Sequence, residues 1–307
     1  MRLTLSVAFL TLAAVLAACG GSAGETAAPT ATSARPTTTG APPLSERADL
    51  LAYDPAAPLD VKVKGKTQRG GAQIDDVVFE AAGRRVSAYL VRPKGKPKAA
   101  VLWAHWYGEE ANTNRTEFLE DAAALAGDGV VSLLPQGMFP WREPVSDVAA
   151  DDRQLAIDQV VQLRRGLDVL DAEAGDVPIG FVGHDYGAMF GILLVVDKRP
   201  QTYVLMAPDA TFSNWFVKYF VPSASKTEFD EAFAPLDPVS NVGDAAPASI
   251  LFQFAKSDKY VPGYVADRLF EAASEPKETR SYGGGHELDN EARRDRLAWL
   301  RRELGLD

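Results

Sequence analysis

An aspartate flanked by glycines lies at a predicted strand-to-helix turn in the middle of the chain. Residues 179–182 are apolar and β-rich, Gly183 and Gly187 flank Asp185, and an apolar helix is predicted from Ala188 onward. A turn of this kind holds its central residue in a strained backbone conformation at the end of the strand, where its side chain can act as a nucleophile. A carboxylate is ionised at neutral pH and needs no base to activate it.

The segment Gly183-His184-Asp185-Tyr186-Gly187 resembles the nucleophile elbow of the α/β-hydrolase superfamily, and the resemblance covers roughly residues 75–304. The long acidic helix, the elbow and the last histidine look most similar to the dienelactone-hydrolase-like branch. The central residue of the elbow differs, because dienelactone hydrolases have Cys there and esterases and lipases have Ser. It resembles instead the Gly-His-Asp-Trp-Gly elbow of epoxide hydrolases and haloalkane dehalogenases. The resemblance implies an α/β-hydrolase fold, with a mostly parallel central sheet, helices on both faces and a short lid.

The chemistry of an aspartate nucleophile limits the substrate. Attack of Asp185 on a saturated carbon gives an alkyl-enzyme ester, which water then cleaves at the aspartate carbonyl. Attack on an ester carbonyl gives an anhydride, which is a much poorer intermediate. We therefore expect a hydrolase acting on a small apolar electrophile, an epoxide or an alkyl halide.

The superfamily resemblance implies a base late in the chain and an orienting acid before it. His286 follows three glycines, after a predicted strand and before the final helix, and would deprotonate the hydrolytic water. Asp258 lies in a loop similar to the family's acid loop and is the preferred acid. Asp209 is the alternative, since some dehalogenases take the acid from that position.

Two backbone N–H groups are expected to form the oxyanion hole. One comes from Tyr186, the residue after the nucleophile. The other comes from the segment His105-Trp106-Tyr107-Gly108, which resembles the family's His-Gly turn with two aromatic residues inserted, so that Trp106 and Tyr107 are both candidates. His105 and His184 are interpreted as supporting side chains rather than catalytic residues, and a metal site built from the three histidines is not expected.

Residues 209–248 lie between two predicted strands and form a candidate lid. Trp215 and Tyr219 are candidates for the substrate pocket, because dehalogenases hold the halide with Trp N–H groups and epoxide hydrolases protonate the opening oxygen with lid tyrosines. These two belong to an aromatic run that fits a core-facing helix equally well; the run comprises Phe212, Trp215, Phe216, Tyr219 and Phe220.

The elements that must position these residues alternate along the chain. Short apolar or β-rich runs predict strands over residues 74–80, 86–91, 99–104, 130–134, 179–182, 203–206, 249–254 and 279–281. Helical spacing predicts helices over residues 116–126, 151–173, 188–196, 264–273 and 291–304. This alternation favours a mostly parallel sheet covered on both faces, with ligands bound outside the carboxyl ends of the strands.

The N-terminal part of the chain predicts export and lipidation. Arg2 and an apolar run end in Leu16-Ala17-Ala18-Cys19, which resembles a bacterial lipobox, so residues 1–18 are interpreted as a lipoprotein signal peptide. Cys19 is the one cysteine of the chain and the expected site of lipidation, which would anchor the protein to the bacterial cell envelope. Residues 19–48, rich in Ala, Thr and Pro, are interpreted as a disordered tether, and residues 49–307 as the hydrolase domain.

Composition excludes several functions and leaves two alternatives to the preferred one. The 307 residues have a net charge of −10 with no basic footprint, which argues against a nucleic-acid partner. No cofactor is predicted, and the expected partners are a small-molecule substrate and, through the lipid, a membrane. The first alternative is an esterase or lactonase in which Asp185 acts as a base for water. The second is a catalytically silent binding protein at the cell surface.

Overall fold

The computed structural model describes residues 44–108 and 114–306. The predictions for the signal peptide, for Cys19 and for most of the tether lie outside these residues. The folded part includes Leu44, which is buried and donates its N–H to Asn241 Oδ1 at 2.8 Å, so it extends beyond the predicted boundary at residue 49. No helix within the described ranges is long and apolar enough to cross a membrane.

In the part of the chain that the structure describes, nine strands form one sheet in the order β1-β2-β3-β5-β4-β6-β7-β8-β9. The strands are β1 (Lys62–Arg69), β2 (Ala72–Ala81), β3 (Arg84–Arg92), β4 (Ala99–Ala104), β5 (Val130–Pro135), β6 (Ile179–His184), β7 (Pro200–Met206), β8 (Ser249–Ala255) and β9 (Lys277–Tyr282). The pairs from β1 to β3, and the pair of β3 with β5, are antiparallel, whereas all pairs from β5 to β9 are parallel. The prediction of a mostly parallel sheet is confirmed.

The central strands are buried on both faces, as their continuous apolar sequences predict. All six residues of β4 are buried, and successive side chains point to opposite faces. Leu102 belongs to one hydrophobic cluster and its neighbours Val101 and Trp103 belong to the other. The sheet therefore separates two cores and must be covered by helices on each side.

Eight α-helices accompany the sheet in the described ranges. They are α1 (Leu119–Ala126), α2 (Ala149–Ala174), α3 (Tyr186–Ile192), α4 (Phe212–Trp215), α5 (Lys226–Phe233), α6 (Pro238–Asn241), α7 (Gly263–Ala272) and α8 (Asn290–Glu303). Helices α1 and α8 contribute to the core containing Trp103, and α2 and α3 to the core containing Leu102. Short 3-10 helices span Leu44–Glu46, Ala48–Leu51, Asn114–Thr116, Leu193–Val196 and Val242–Asp244, and a π-helix spans Phe216–Phe220.

Two regions differ from the sequence-based expectation. Strand β1 was not predicted. All eight of its residues are exposed at the edge of the sheet, so its sequence lacks the alternation of apolar and polar residues that marks a half-buried strand. The predicted lid comprises α4, the π-helix, α5 and α6. Its aromatic run serves both predicted purposes: Phe212 and Phe216 are fully buried in the core, whereas Trp215, Tyr219 and Phe220 line a cavity.

Candidate active site

The turn between β6 and α3 has the backbone geometry of a nucleophile elbow. Asp185 has φ of +56° and ψ of −122°, a conformation that non-glycine residues rarely adopt. Gly187 is required by close packing, since a Cβ there would lie 2.1 Å from the carbonyl oxygen of Ala104. The Asp185 N–H donates to the carbonyl oxygen of Met206 at 2.8 Å, which fixes the turn to β7. The Asp185 side chain is thus held at the carboxyl end of the central strands.

The two carboxylate oxygens of Asp185 have different surroundings. Oδ2 accepts a hydrogen bond of 3.0 Å from the N–H of Tyr107. Oδ1 is buried and has no hydrogen-bond partner among residues 44–108 and 114–306. Among the described residues, one oxygen is therefore hydrogen-bonded to a backbone N–H and the other has no partner.

Burial raises the pKa of Asp185 to about 7, since it disfavours the charged carboxylate. Nearby His286 and the N–H groups of Tyr107 and Tyr186 act in the opposite direction, and Glu117 adds to the increase. A carboxylate with such a pKa is more basic and more nucleophilic than an exposed one.

The structure brings Asp258 and His286 together. His286 Nδ1 donates to Asp258 Oδ2 at 2.9 Å, and Asp258 Oδ1 accepts the N–H groups of Tyr260 and Val261 at 2.8 and 3.1 Å. Burial raises the pKa of Asp258, but the hydrogen bond and the charge of His286, with the two backbone N–H groups, outweigh it and leave the pKa lowered. His286 Nε2 is buried and unpartnered within the described ranges. In this tautomer Nε2 is the nitrogen that can accept a proton.

The alternative acid, Asp209, does not contact His286 and has another role. It is buried after β7, and its Oδ2 accepts the indole N–H of Trp215 at 2.8 Å, while Oδ1 accepts the N–H of Thr211 at 3.1 Å. This bond also corrects the expectation for Trp215. Its N–H is already used by Asp209, so Trp215 offers the cavity an aromatic face rather than a donor for a halide.

The two candidates for the second oxyanion donor are separated by their bonds. The N–H of Tyr107 points to Asp185, whereas the N–H of Trp106 donates to Glu117 Oε2 at 2.7 Å. Trp106 is therefore not an oxyanion donor. His105 supports this turn, since its Nδ1 bonds the carbonyl oxygen of Trp106 and its Nε2 accepts the N–H of Gly137, both at 2.9 Å. Burial lowers the pKa of His105 to about 4, which keeps its ring neutral.

A cavity of about 790 Å³ is lined by Asp185 and His286. Its walls are mainly aromatic, and its remaining lining residues are Trp106, Tyr107, Gly108, Asn114, Tyr186, Trp215, Tyr219, Phe220 and Tyr260. The ring of Tyr186 is fully buried against Trp215 and Phe216, and its hydroxyl has no hydrogen-bond partner in the part of the chain that the structure describes. Burial raises the pKa of Tyr186 well above the ordinary value, and the charge of Asp185 adds to this, so the hydroxyl keeps its proton.

Sequence reasoning missed Glu117, which lies just before α1. Its Oε1 contacts His184 Nδ1 at 2.6 Å and its Oε2 accepts the N–H of Trp106. From the sequence alone, an acidic residue here is typical of the first turn of a helix. Tyr260, whose ring centroid lies 5.0 Å from that of His286, was also missed. Within residues 44–108 and 114–306, no group of three or more His, Cys, Asp and Glu side chains could hold a metal ion.

Comparison with solved structures places this geometry in a known fold. The chain is similar to an acetyl xylan esterase from Thermoanaerobacterium, with 15% identity and a TM-score of 0.67 over 89% of this chain and 96% of that one. It is also similar to a cold-adapted esterase from an Arctic intertidal metagenomic library, with 19% identity and a TM-score of 0.61 over 79% and 99% of the two chains.

The chain has the α/β-hydrolase fold. A third similar structure, an S-formylglutathione hydrolase from Agrobacterium tumefaciens, has 14% identity and a TM-score of 0.59 over 80% of this chain and all of that one. No protein-family model and no curated protein sequence matches the chain. At these identities the likeness extends to the fold alone.

Proposed function

We propose that this protein is a hydrolase in which Asp185 attacks a saturated carbon of a small apolar electrophile. The observation that carries the proposal is the asymmetric Asp185 carboxylate. Its Oδ2 is held by the Tyr107 N–H, Asp185 and His286 line the same cavity, and Oδ1 of Asp185 and Nε2 of His286 have no partner among the described residues. A nucleophilic carboxylate needs one free oxygen for attack and one stabilised oxygen for the later step, and this arrangement supplies both.

In the first step, Oδ1 of Asp185 forms a bond to the substrate carbon while the bond from that carbon to the leaving group breaks. The product is an ester between the substrate and Asp185. Of the two leaving groups considered, we favour an epoxide oxygen. The Trp215 N–H that could bind a halide is bonded to Asp209, whereas Tyr219 lines the cavity, is 40% exposed, and could donate its hydroxyl proton to the opening oxygen.

In the second step, His286 Nε2 takes a proton from water and the resulting hydroxide attacks Cγ of Asp185. Negative charge develops on Oδ2, which the Tyr107 N–H stabilises, and we assign the Tyr186 N–H, which also acts on the Asp185 carboxyl, as the second donor. Collapse of this intermediate breaks the bond between Cγ and Oδ1, the proton on His286 Nε2 passes to the departing oxygen to give the product alcohol, and an oxygen of the water stays in Asp185. Asp258 holds the Nδ1 proton of His286 throughout and stabilises the imidazolium.

An esterase is the second candidate, because the similar solved structures include esterases and a carboxylate with a pKa of about 7 could act as a base for water. One contact disfavours it. The Tyr107 N–H, which an ester carbonyl would need in the oxyanion hole, already donates to Asp185.

A substrate panel combined with isotope labelling separates these candidates. Epoxides, haloalkanes and short esters are offered to the wild-type protein and to Asp185→Asn. A single turnover in ¹⁸O-labelled water should place the label in Asp185, as read by mass spectrometry of its peptide. Product formation with an unlabelled Asp185 would refute the nucleophilic role. Ester turnover that leaves no trapped intermediate in His286→Gln would instead support the esterase. Ligand binding without turnover that is unchanged in Asp185→Asn would support a silent binding protein.

We also propose that the protein is exported and anchored to the cell envelope by lipid on Cys19. The proposal is supported by the position of the one cysteine directly after Leu16-Ala17-Ala18 and by the Ala-, Thr- and Pro-rich segment that follows it. Detergent phase partitioning tests it. The wild type should partition into the detergent phase and Cys19→Ser into the aqueous phase, and equal partitioning of both would exclude the lipid anchor.

A further inference from the structure

A buried hydrogen-bonded pair, His184 and Glu117, links the two loops that serve the active site. The side chain of His184 is 1% exposed and that of Glu117 is 17% exposed. His184 Nδ1 contacts Glu117 Oε1 at 2.6 Å, and His184 Nε2 lies 2.9 Å from the backbone carbonyl oxygen of His286. The imidazole therefore has a bond at each end, one to Glu117 and one to the loop that carries His286.

The positions of the protons on His184 and Glu117 can be inferred from the atoms that the two ring nitrogens face. A carbonyl oxygen can only accept, so His184 Nε2 must carry a proton. The contact between Nδ1 and Oε1 needs another proton between the two atoms, whichever of them holds it. Both bonds of His184 are thus directional and made inside the protein, where an unpaired polar group is costly.

The second carboxylate oxygen of Glu117 extends the link to the oxyanion turn. Glu117 Oε2 accepts the Trp106 N–H at 2.7 Å, and the next residue along the chain is Tyr107, whose N–H donates to Asp185. The ring of Trp106 also stacks on that of His184, with centroids 5.4 Å apart and planes 9° apart. A continuous path of bonds therefore runs from the Tyr107 turn through Glu117 and His184 to His286.

We infer that Glu117 and His184 are positioning residues. They hold the Tyr107 N–H and the loop of His286 at the correct distance from each other and from Asp185. Neither belongs to the described lining of the cavity, so they act through the residues that do. The inference rests on the proposed function for its kinetic consequences, because both steps of that reaction depend on these two loops. Misplacement of reacting groups by about 1 Å lowers rates roughly 100-fold, so losing the link should lower kcat with little effect on KM.

Three variants test the hydrogen bonds. Glu117→Ala removes both bonds of the carboxylate, and His184→Phe keeps a ring to stack on Trp106 but removes both ring bonds. Each should lower kcat about 30- to 100-fold while KM changes less than about 3-fold. Glu117→Gln can still accept from Trp106 and donate to His184, so it should stay within about 3-fold of wild type.

Asp121→Asn is the matched control, because it removes the charge of a buried carboxylate that has only a structural role. Asp121 lies in α1, is buried, and bonds Arg293 and Arg296 away from the site. It should lower the Tm and leave kcat of the folded protein unchanged. Loss of Tm without loss of kcat in Glu117→Ala and His184→Phe would overturn the inference, and so would a Glu117→Gln variant as impaired as Glu117→Ala. Should Glu117→Ala not fold, the contrast between His184→Phe and Glu117→Gln decides.

A measurement without substrate separates this inference from the proposed function. The His286 Nδ1 proton, bonded to Asp258, is followed by NMR in all variants. Its signal should shift or broaden in Glu117→Ala and His184→Phe and stay in place in Glu117→Gln and Asp121→Asn. An unlabelled Asp185 in ¹⁸O water would refute the proposed function while this signal still reports the positioning. A His286 signal identical in all four variants would overturn the positioning.

Discussion

Asp185 and Asp258 are aspartates with buried side chains, each close behind a parallel strand, and their pKa values are shifted in opposite directions. Asp258 accepts two backbone N–H groups and the ring of His286, so its charge is well solvated by the protein. Asp185 has one oxygen bonded to Tyr107 and one without a partner within the described chain. Burial alone does not set the pKa of a carboxyl. Burial disfavours the charged form, and hydrogen-bond donors to the carboxylate can compensate for that loss of solvation. In the function we propose, the compensated carboxyl of Asp258 orients the base and the uncompensated carboxyl of Asp185 is the nucleophile.

The difference between the two aspartates is tested most directly by replacing the carboxyl of Asp185 with a neutral amide. Asp185→Asn removes the nucleophilic oxygen and keeps the shape of the side chain, so we expect turnover to fall about 10,000-fold or more. Steady-state kinetics on the best substrate of the panel measures this. A variant with more than a tenth of wild-type activity would show that Asp185 is not the nucleophile.

The same substitution should stabilise the protein at alkaline pH. The pKa of Asp185 is raised from 3.8 to about 7 on folding, so the folded state binds a proton that the unfolded state has lost. Wild-type stability therefore falls as pH rises from about 4 to about 7, by up to about 4 kcal/mol, or about 1,000-fold in the unfolding constant.

The amide introduced by Asp185→Asn does not titrate, so the variant should escape this loss. Denaturant unfolding of both proteins at about pH 8 and about pH 4 measures the effect, with the low-pH pair as the internal control. The stability gain should be present at the higher pH and absent at the lower one. An equal difference at both values of pH would contradict the assignment of the raised pKa to Asp185.

Removing the charge of the acid should affect the second step rather than the first. In Asp258→Asn the amide N–H₂ faces His286 Nδ1 and favours the tautomer whose Nε2 is protonated, so His286 can no longer accept a proton from water. We expect a roughly 300-fold lower kcat, with the alkyl-enzyme accumulating. Intact-protein mass spectrometry after mixing with substrate measures that species.

Asp209→Asn distinguishes the two candidate acids. Asp209 bonds Trp215 and not His286, so its variant should perturb substrate binding without accumulation of the alkyl-enzyme. Accumulation in Asp209→Asn and none in Asp258→Asn would reverse the assignment of the acid.

The smallest effect is expected at the cavity tyrosine of the lid. Tyr219→Phe removes a partly exposed hydroxyl and keeps the ring packed against Trp215 and Tyr260. Epoxide opening should slow about 30-fold because the leaving oxygen loses its proton donor. Bromoalkanes, whose leaving group needs no proton, serve as the control substrates. Equal slowing of both substrate classes would mean that Tyr219 acts by packing and not as an acid.

Local sequence patterns were sufficient to predict most of the sheet and the elbow. Apolar runs such as residues 99–104 and 179–182 fall on β4 and β6, because strands buried on both faces need side chains that are apolar at every position. The turn at Asp185 was predicted because Gly183 and Gly187 are the small residues that its close packing requires. Strand β1 was missed because an exposed edge strand needs no apolar alternation.

The partners of polar side chains could not be predicted from such patterns. Glu117 and His184 are 67 residues apart, and nothing near Glu117 distinguishes it from an ordinary helix-start residue. Trp215 was a candidate to offer its N–H to a ligand, but Asp209, six residues before it, accepts a hydrogen bond from that N–H. The choice between Trp106 and Tyr107 depended on which backbone N–H turns toward the elbow, and adjacent residues in one loop give no sign of this.

The sequence by itself determined which chemical groups are present and which strand ends carry them, because turns and buried strands depend on local residue size and hydrophobicity. It therefore determined an aspartate at the elbow, a late histidine and an acid loop. The tertiary structure decided how each group is bonded. Among the described residues, it placed a hydrogen-bond donor on Oδ2 of Asp185 and none on Oδ1, bonded Asp258 to His286, and joined Glu117 to His184. Hydrogen bonds between distant segments set protonation and orientation, and those properties arise only when the chain is folded.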